Sequence, residues 1–196
     1  MLEIHENSVY DVFNHVAGKL CIFRDVTVER DLEKQIRHSS NTDFLTGLYN
    51  RRCFYQYIHN NRGGRTVSLM YIDLDRFKEV NDTYGHKVGD AVLVHTADVL
   101  RRLFRDDFVA RLGGDEFLVV RLGKCSMDQM EQEAEAFLKE MRTAFLAAEQ
   151  TVSLSASVGI AQSSDSMVDI DALLQRSDQA LYQAKKAGRS RYCVYR

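Results

Sequence analysis

The chain contains 196 residues, 45% of them apolar, and carries a formal charge of −2 at neutral pH. This length suits one α/β domain with a short extension, and a near-neutral chain without a long basic run is not typical of proteins that coat nucleic acid. The four cysteines lack metal-ligand spacing, no apolar run is long enough to span a bilayer, and the N-terminus has no targeting pattern, so we expect a cytoplasmic protein that binds neither nucleic acid nor membrane.

Residues 1–41 are organised differently from the rest. Short strands are predicted at Ser8–Phe13 and Lys19–Phe23, followed by a charged helix that runs to His38. Three apolar residues recur every four positions along this helix: Val28, Leu32 and Ile36. The narrow stripe fits a short parallel coiled coil and equally an amphipathic linker lying on the domain. The passage from strand to helix through Asp25-Val26-Thr27 weakly resembles the end of a PAS sensor domain, which implies a remnant or fragment of a longer sensor.

From residue 42 onward, strand-like runs alternate with helical patterns, and glycine marks the boundaries because the chain has no proline. Helices are predicted near Arg51–Asn61, Gly89–Leu103, Ser126–Ala148 and Asp169–Lys186. Strands are predicted at Val67–Ile72, Val152–Ala161 and Arg191–Tyr195, with a hairpin around residues 108–120. This order favours an antiparallel or mixed sheet with helices on one side.

The hairpin sequence is Gly113-Gly114-Asp115-Glu116-Phe117, set between two strand-like runs. Glycine reaches positive φ without a Cβ clash, so the pair of glycines favours a tight turn and leaves room for a ligand. By itself the pentapeptide fits a metal-nucleotide site and, equally, an ordinary hairpin with a solvated acidic tip.

A second acidic element ends the strand Val67–Ile72, where Asp73 and Asp75 stand one residue apart and on one face. Carboxylates at the end of an apolar strand resist desolvation unless a cation or hydrogen bonds compensate, and a hard divalent ion such as Mg²⁺ suits them. The alternative is that both residues only cap the next turn.

Five blocks in chain order carry a more specific signal: Asp43–Arg52, Asp73–His86, Gly89-Asp90, Gly113–Phe117 and Tyr182–Arg189. Together they resemble the GGDEF-domain diguanylate cyclases from about Asp43 to the C-terminus. The resemblance implies an α+β fold, the ferredoxin-like palm of nucleotide cyclases, with a mostly antiparallel central sheet and flanking helices. We expect this domain to span residues 42–196, behind an N-terminal hairpin and linker helix.

The resemblance also implies a metal site. Asp73 and Glu116 would hold two Mg²⁺ ions, for which Mn²⁺ could substitute, the carbonyl of Leu74 would add a ligand, and Asp115 would bind the second ion or assist deprotonation. Adjacent strand residues face opposite ways, so Asp115 and Glu116 can serve one site only if the turn redirects one of them.

Guanine presents two neighbouring N–H donors that a carboxylate accepts in bidentate fashion, whereas adenine has no such pair. In the family pattern Asp90 and Asn81 occupy the base-reading positions, which predicts GTP as the substrate. Two alternatives stay open at this point: Asp90 as a helix N-cap, and Asn81-Asp82 as a turn that bonds its own backbone.

The phosphates are assigned by resemblance to Lys185 and Arg189, with backbone N–H groups of the loop around Phe77 and Lys78 as further donors. Basic residues at a helix C-terminus also complement the helix dipole, so Lys185 and Arg189 have a purely structural alternative. Gly188 is expected to end the helix and to leave Arg189 just beyond it.

The chain departs from the family at the product-inhibition motif Arg-x-x-Asp, whose aspartate is separated from the first hairpin glycine by five residues. Asp107 is retained, but Phe104 stands at the arginine position and Arg105 is one place too close. The paired grip on guanine and phosphate is therefore expected to be absent, with weak or no feedback inhibition.

By this resemblance the predicted function is that of a diguanylate cyclase, a nucleotidyltransferase that converts two GTP into cyclic di-GMP and two pyrophosphates. Because each domain presents one GTP, two active sites must face each other in a transient or linker-controlled homodimer, for which an upstream sensor domain is a candidate regulator. Two rivals remain: a catalytically silent nucleotide-binding module, and a cyclase with an adenine-containing product.

Overall fold

The computed structural model describes residues 2–10, 12–25, 41–147, 150–163 and 169–196. The chain divides into two compact units, Met1–Ser40 and Asn41–Arg196. The predicted linker helix, with its stripe of Val28, Leu32 and Ile36, lies outside the described residues.

The smaller unit contains an antiparallel hairpin of β1 (Leu2–Tyr10) and β2 (Val16–Asp25). Both predicted strands exist, but the first begins and ends earlier than expected because residues 12–14 form the turn. Asn14 adopts a left-handed conformation there (φ 67°), which asparagine tolerates better than most residues.

Among the described residues of the larger unit, six strands form one mixed sheet. They are β3 (Tyr49–Asn50), β4 (Val67–Leu74), β5 (Phe108–Gly113), β6 (Glu116–Leu122), β9 (Ala156–Gln162) and β10 (Tyr192–Val194). Two further strands, β7 (Phe145–Ala147) and β8 (Gln150–Val152), form a separate antiparallel ribbon. The sheet order is β10-β9-β4-β6-β5-β3. The central pairings are antiparallel, and the outermost pairings, β10 with β9 and β3 with β5, are parallel.

The helices described in this unit are α1 (Arg51–Asn61), α2 (Phe77–Tyr84), α3 (His86–Leu103), α4 (Met127–Met141) and α5 (Ile170–Lys186). Among them and the rest of the described residues, no helix is both long and apolar enough to cross a membrane.

Helices cover both faces of the sheet, which corrects the expectation of helices on one side. Alternate side chains of the buried strand β4 enter two cores: Met70 and Ile72 pack with α3 and α4, whereas Leu69 and Tyr71 pack with α1 and α5. A strand buried on both faces reads as a nearly continuous apolar run, as β4 does, so this run was the signal in the sequence for helices on both sides.

Three local predictions were wrong. The region of Phe77 and Lys78, expected as a loop, forms the start of α2. The one buried residue of this helix is Val80, so its apolar period is too short to recognise. The helix predicted to Ala148 ends at Met141, because residues 145–147 leave it and pair with β8. The predicted strand Val152–Ala161 is likewise interrupted between β8 and β9.

Candidate functional site

Asp73 and Glu116 lie directly opposite each other on the antiparallel strands β4 and β6. Both side chains therefore point to the face that carries α1 and α5. Like charges in this cross-strand position repel, so the arrangement requires cations. Lys185 of α5 places its Nζ 2.7 Å from Asp73 Oδ2, and Arg51 of α1 places Nη2 3.8 Å from Glu116 Oε2.

The Asp73 carboxylate is largely buried, with a side chain 13% exposed. Burial is the main cause that raises the pKa of Asp73, the Lys185 hydrogen bond opposes it, and the charge of Asp115 adds to the rise. Asp115 belongs to the turn, since β6 begins only at Glu116, and this placement lets two adjacent acidic residues approach one site.

The turn between β5 and β6 has the backbone that the glycines predict, with φ 148° at Gly113 and 53° at Gly114. Arg111 donates to the Gly114 carbonyl from Nε and Nη2, at 3.0 and 2.7 Å. Its Nη1 lies 2.9 Å from Asp43 Oδ1. The N–H of Leu74 also donates to the Asp115 carbonyl at 3.3 Å, so the acidic turn is held to the end of β4 as well.

Asp43 is anchored by its own turn, accepting from the N–H and hydroxyl of Thr46 at 2.9 and 2.6 Å. Burial opposes ionisation, but the hydrogen bonds from Thr46 and the charge of Arg111 outweigh it and lower the pKa of Asp43. Asp43 and Arg111 are positioning residues that the sequence reasoning did not assign, because their contact joins distant segments.

Asp75 does not join Asp73 at a cation site. Its buried carboxylate accepts from the hydroxyls of Ser155 and Ser157, both at 2.7 Å, and from the N–H of Ser190 at 3.0 Å. Asp75 therefore has a structural role, but not as a cap of the next turn, because its partners are serines from distant segments. Its role is to hold the loop after α5, which carries Arg189, against the end of β4.

The loop before α2 contains Arg76 in a left-handed conformation, with φ 57°. This residue is the N-cap of α2, and Phe77 and Lys78 begin the helix. The first N–H groups of a helix have no carbonyl partner within it and favour anions. The ring of Phe77 packs against the core, so only its backbone is available to a ligand.

Asn81 of α2 packs on α3 at Gly89, the residue before Asp90. A Cβ on Gly89 would lie 2.0 Å from Asn81 Oδ1, so the amide lies directly against the backbone of α3. The N-cap alternative for Asp90 does not apply, because α3 begins at His86 with Gly85 as its cap. The turn alternative for Asn81 and Asp82 fails too, since both lie inside α2.

The end of α5 follows the prediction: the helix ends at Lys186, and Gly188 has φ 113°. Arg189 lies beyond it with φ 63°. Lys185 does more than complement the helix dipole, because its ammonium contacts Asp73.

The region of the product-inhibition motif is built for packing. Phe104 is 2% exposed within the core. Asp107 is held by the Arg121 guanidinium, whose Nε and Nη2 lie 2.8 and 2.5 Å from its two oxygens. Arg121 also contacts Glu133, with 3.0 Å between Nη2 and Oε2. The retained aspartate therefore already has a bidentate partner from its own chain.

Tyr71 is a further residue beside this site that the sequence reasoning did not assign. It stands two residues before Asp73 on the same face of β4, and burial together with the nearby Glu116 carboxylate raises its pKa. The period of two along a strand was the signal that could have found it.

The residues fit a hard divalent cation, although no three His, Cys, Asp or Glu side chains of the described ranges already form a metal cluster. The fit rests on the oxygen ligands: the opposed carboxylates of Asp73 and Glu116 and the adjacent Asp115. The ammonium of Lys185 beside Asp73 shows that this position attracts a cation. Leu74, whose carbonyl is the further ligand predicted from the sequence, is the last residue of β4 and stands between Asp73 and Asp75.

Residues 40–191 match the family described as "Diguanylate cyclase, GGDEF domain". The chain is 37% identical over 178 residues to diguanylate cyclase DgcM of Escherichia coli, covering 88% of this chain and 42% of DgcM. It is 38% identical over 180 residues to the cyclic di-GMP phosphodiesterase PdeR of the same organism, covering 90% of this chain and 27% of PdeR. The chain thus spans less than half the length of these relatives.

Among solved structures, the coiled coil and GGDEF domain of DgcB from Caulobacter crescentus, in complex with c-di-GMP, matches with a TM-score of 0.80 at 28% identity. The match covers 87% of this chain and 93% of DgcB's. The GGDEF domain of YfiN (TpbB) from Pseudomonas aeruginosa matches with a TM-score of 0.70 at 35% identity, covering 79% and 94% of the two chains. These matches confirm the predicted α+β fold with a mixed sheet flanked by helices.

Proposed function

Because the chain belongs to the GGDEF domain family of diguanylate cyclases, we propose that it condenses two GTP molecules into cyclic di-GMP and releases two pyrophosphates. The observation that carries the proposal is the opposed pair Asp73 and Glu116 with Lys185 beside it. This arrangement places two carboxylates that can bind metal, and one ammonium that can bind phosphate, at the end of β4. In each of the two steps, a ribose 3′-oxygen bonds to the α-phosphorus of the other GTP, and the bond to the leaving pyrophosphate breaks.

The metal of this site would be Mg²⁺, two ions per active site, with Mn²⁺ as a substitute. Asp73, Glu116 and the carbonyl of Leu74 would hold it, and Asp115 would hold the second ion or accept the proton of the 3′-hydroxyl. Divalent ions at such a site neutralise the triphosphate and favour ionisation of the attacking hydroxyl.

The remaining residues bind and orient the nucleotide. Asp90 accepts from the N1–H and N2–H donors of guanine, and Asn81 adds a contact from the neighbouring helix. Lys185, Arg189 and the first N–H groups of α2, at Phe77 and Lys78, bind the phosphates. The glycines Gly113 and Gly114 let the nucleotide approach the backbone of the turn.

Ring closure needs two such sites facing each other, so we propose that the active species is a homodimer, transient or controlled by residues 26–38. The similarity to PdeR, whose name denotes a phosphodiesterase, keeps one rival in view: a nucleotide-binding module without catalysis. The acidic and guanine-reading positions are all present in this chain, which favours the cyclase.

The direct test is incubation of the purified chain with GTP or with ATP in the presence of Mg²⁺, followed by identification of the products by mass. We expect cyclic di-GMP from GTP, no cyclic product from ATP, and no product from the variant Glu116→Gln. GTP binding without any dinucleotide product would favour the silent module, and an adenine-containing product would overturn the assignment of Asp90.

A further inference from the structure

The proposed function gives Lys185 and Asp73 different ligands, yet here they hold each other. Lys185 Nζ lies 2.7 Å from Asp73 Oδ2, and the two side chains are 33% and 13% exposed. The ammonium charge that the proposed function assigns to the triphosphate is therefore engaged by Asp73 in this geometry. Building on the proposed function, we propose that Lys185 is an internal cation of the nucleotide-free protein: it occupies Asp73 until the nucleotide draws it away, and metal therefore binds weakly before nucleotide.

The charges around Asp73 explain why an internal cation is needed. Glu116 stands directly opposite it, and Asp115 and Asp75 lie near enough for their charges to act on it. A buried carboxylate among other carboxylates is costly unless it is paired. A divalent ion arriving alone must break the Lys185 contact and leave the ammonium without its partner, which lowers the net gain from binding.

Lys185 is suited to exchange partners. Its charge lies at the end of a flexible stem with three donors, so it can turn from one acceptor to another without movement of α5. A triphosphate offers oxygens with more negative charge than one carboxylate. Nucleotide binding therefore releases Asp73 for metal, and by thermodynamic linkage metal binding releases Lys185 for nucleotide.

The test measures Mn²⁺ binding by electron paramagnetic resonance, first on the protein alone and then with a non-hydrolysable GTP analogue. The variant Lys185→Gln removes the internal cation, and Lys185→Arg keeps a positive charge. Lys186→Gln is the matched control, because this exposed neighbour places its Nζ 4.6 Å from the ring centre of Tyr182 and does not contact Asp73.

Without nucleotide, we expect Lys185→Gln to bind Mn²⁺ about fivefold or more tightly than the wild type, in the range typical of coupling between sites. Lys186→Gln and Lys185→Arg should stay within about twofold of the wild type. With Mn²⁺ present, Lys185→Gln should bind the analogue more weakly, because it has lost a phosphate contact.

Two outcomes would overturn the inference, and they differ in what else they remove. If the wild type binds Mn²⁺ with the analogue but Lys185→Gln binds Mn²⁺ alone no more tightly than the wild type, only the internal-cation role fails. If neither the wild type nor Asp73→Asn binds Mn²⁺ in the presence of the analogue, the proposed metal site fails and this inference fails with it.

Discussion

Arg111 and Asp43 form a largely buried ion pair, with side chains 10% and 18% exposed. The same guanidinium binds the carbonyl of Gly114, so one side chain joins the first residues of the domain to its acidic turn. We expect Asp43→Ala to lower the free energy of unfolding by about 2 kcal/mol or more, because Arg111 and the Thr46 N–H lose a shared acceptor. Urea unfolding measures this.

The control is Asp98→Ala, which breaks a 2.8 Å pair with Arg101 whose carboxylate side is 65% exposed and should cost less than about 1 kcal/mol. The effect of Asp43 should also depend on pH. Its pKa is lowered in the folded protein, so its stabilisation is present above its ordinary pKa and is lost as pH falls through the folded value. The difference between wild type and Asp43→Ala should be constant above about pH 5 and shrink below about pH 4, and a difference independent of pH would contradict the ion pair.

Asp90→Ala should reduce the preference for GTP over ATP. The carboxylate accepts two guanine donors that adenine lacks, and loss of such a pair weakens binding by about tenfold or more. The measurement is the affinity of both nucleotides for the wild type and the variant in the presence of Mg²⁺. An unchanged guanine preference would remove Asp90 from base recognition.

Gly89→Ala should weaken GTP binding by about tenfold while leaving the melting temperature unchanged or higher. Its new Cβ would stand 2.0 Å from Asn81 Oδ1 and push the amide away from the base, whereas alanine suits a helix interior better than glycine. A double-mutant cycle with Asn81→Ala isolates the cause. The two losses should not add, and additive losses would show that Gly89 acts without Asn81.

Feedback inhibition by cyclic di-GMP should be weak or absent. Phe104 is buried where the family motif has arginine, and Asp107 is bound to Arg121. Initial rates of GTP turnover measured against added cyclic di-GMP test this. Tight noncompetitive inhibition would mean that the product has a different site on this chain.

Specific activity should rise steeply with protein concentration, because two domains must meet to close the cyclic product. Turnover measured across the range in which sedimentation shows a change from monomer to dimer provides the test. The same specific activity at both ends of that range would exclude the homodimer mechanism.

Local chemistry explains what could be predicted. Glycine adopts positive φ without a steric penalty, so the turn at Gly113 and Gly114 could be predicted from the sequence. The helices α1, α3 and α5 carry long apolar periods, and their predicted positions agree with the structure within a few residues. Helix α2 was not predicted, because its single buried residue, Val80, gives no apolar period to recognise.

The sequence by itself determined the family, the acidic turn and the carboxylate at the end of β4, since each depends on neighbouring residues and their spacing. Only the tertiary structure decided which acidic residue is available to a ligand: Asp75 is enclosed by Ser155, Ser157 and Ser190, whereas Asp73 holds Lys185. The physical reason is that a carboxylate's role depends on the donors that packing brings to it from distant parts of the chain, and spacing along the sequence does not record them.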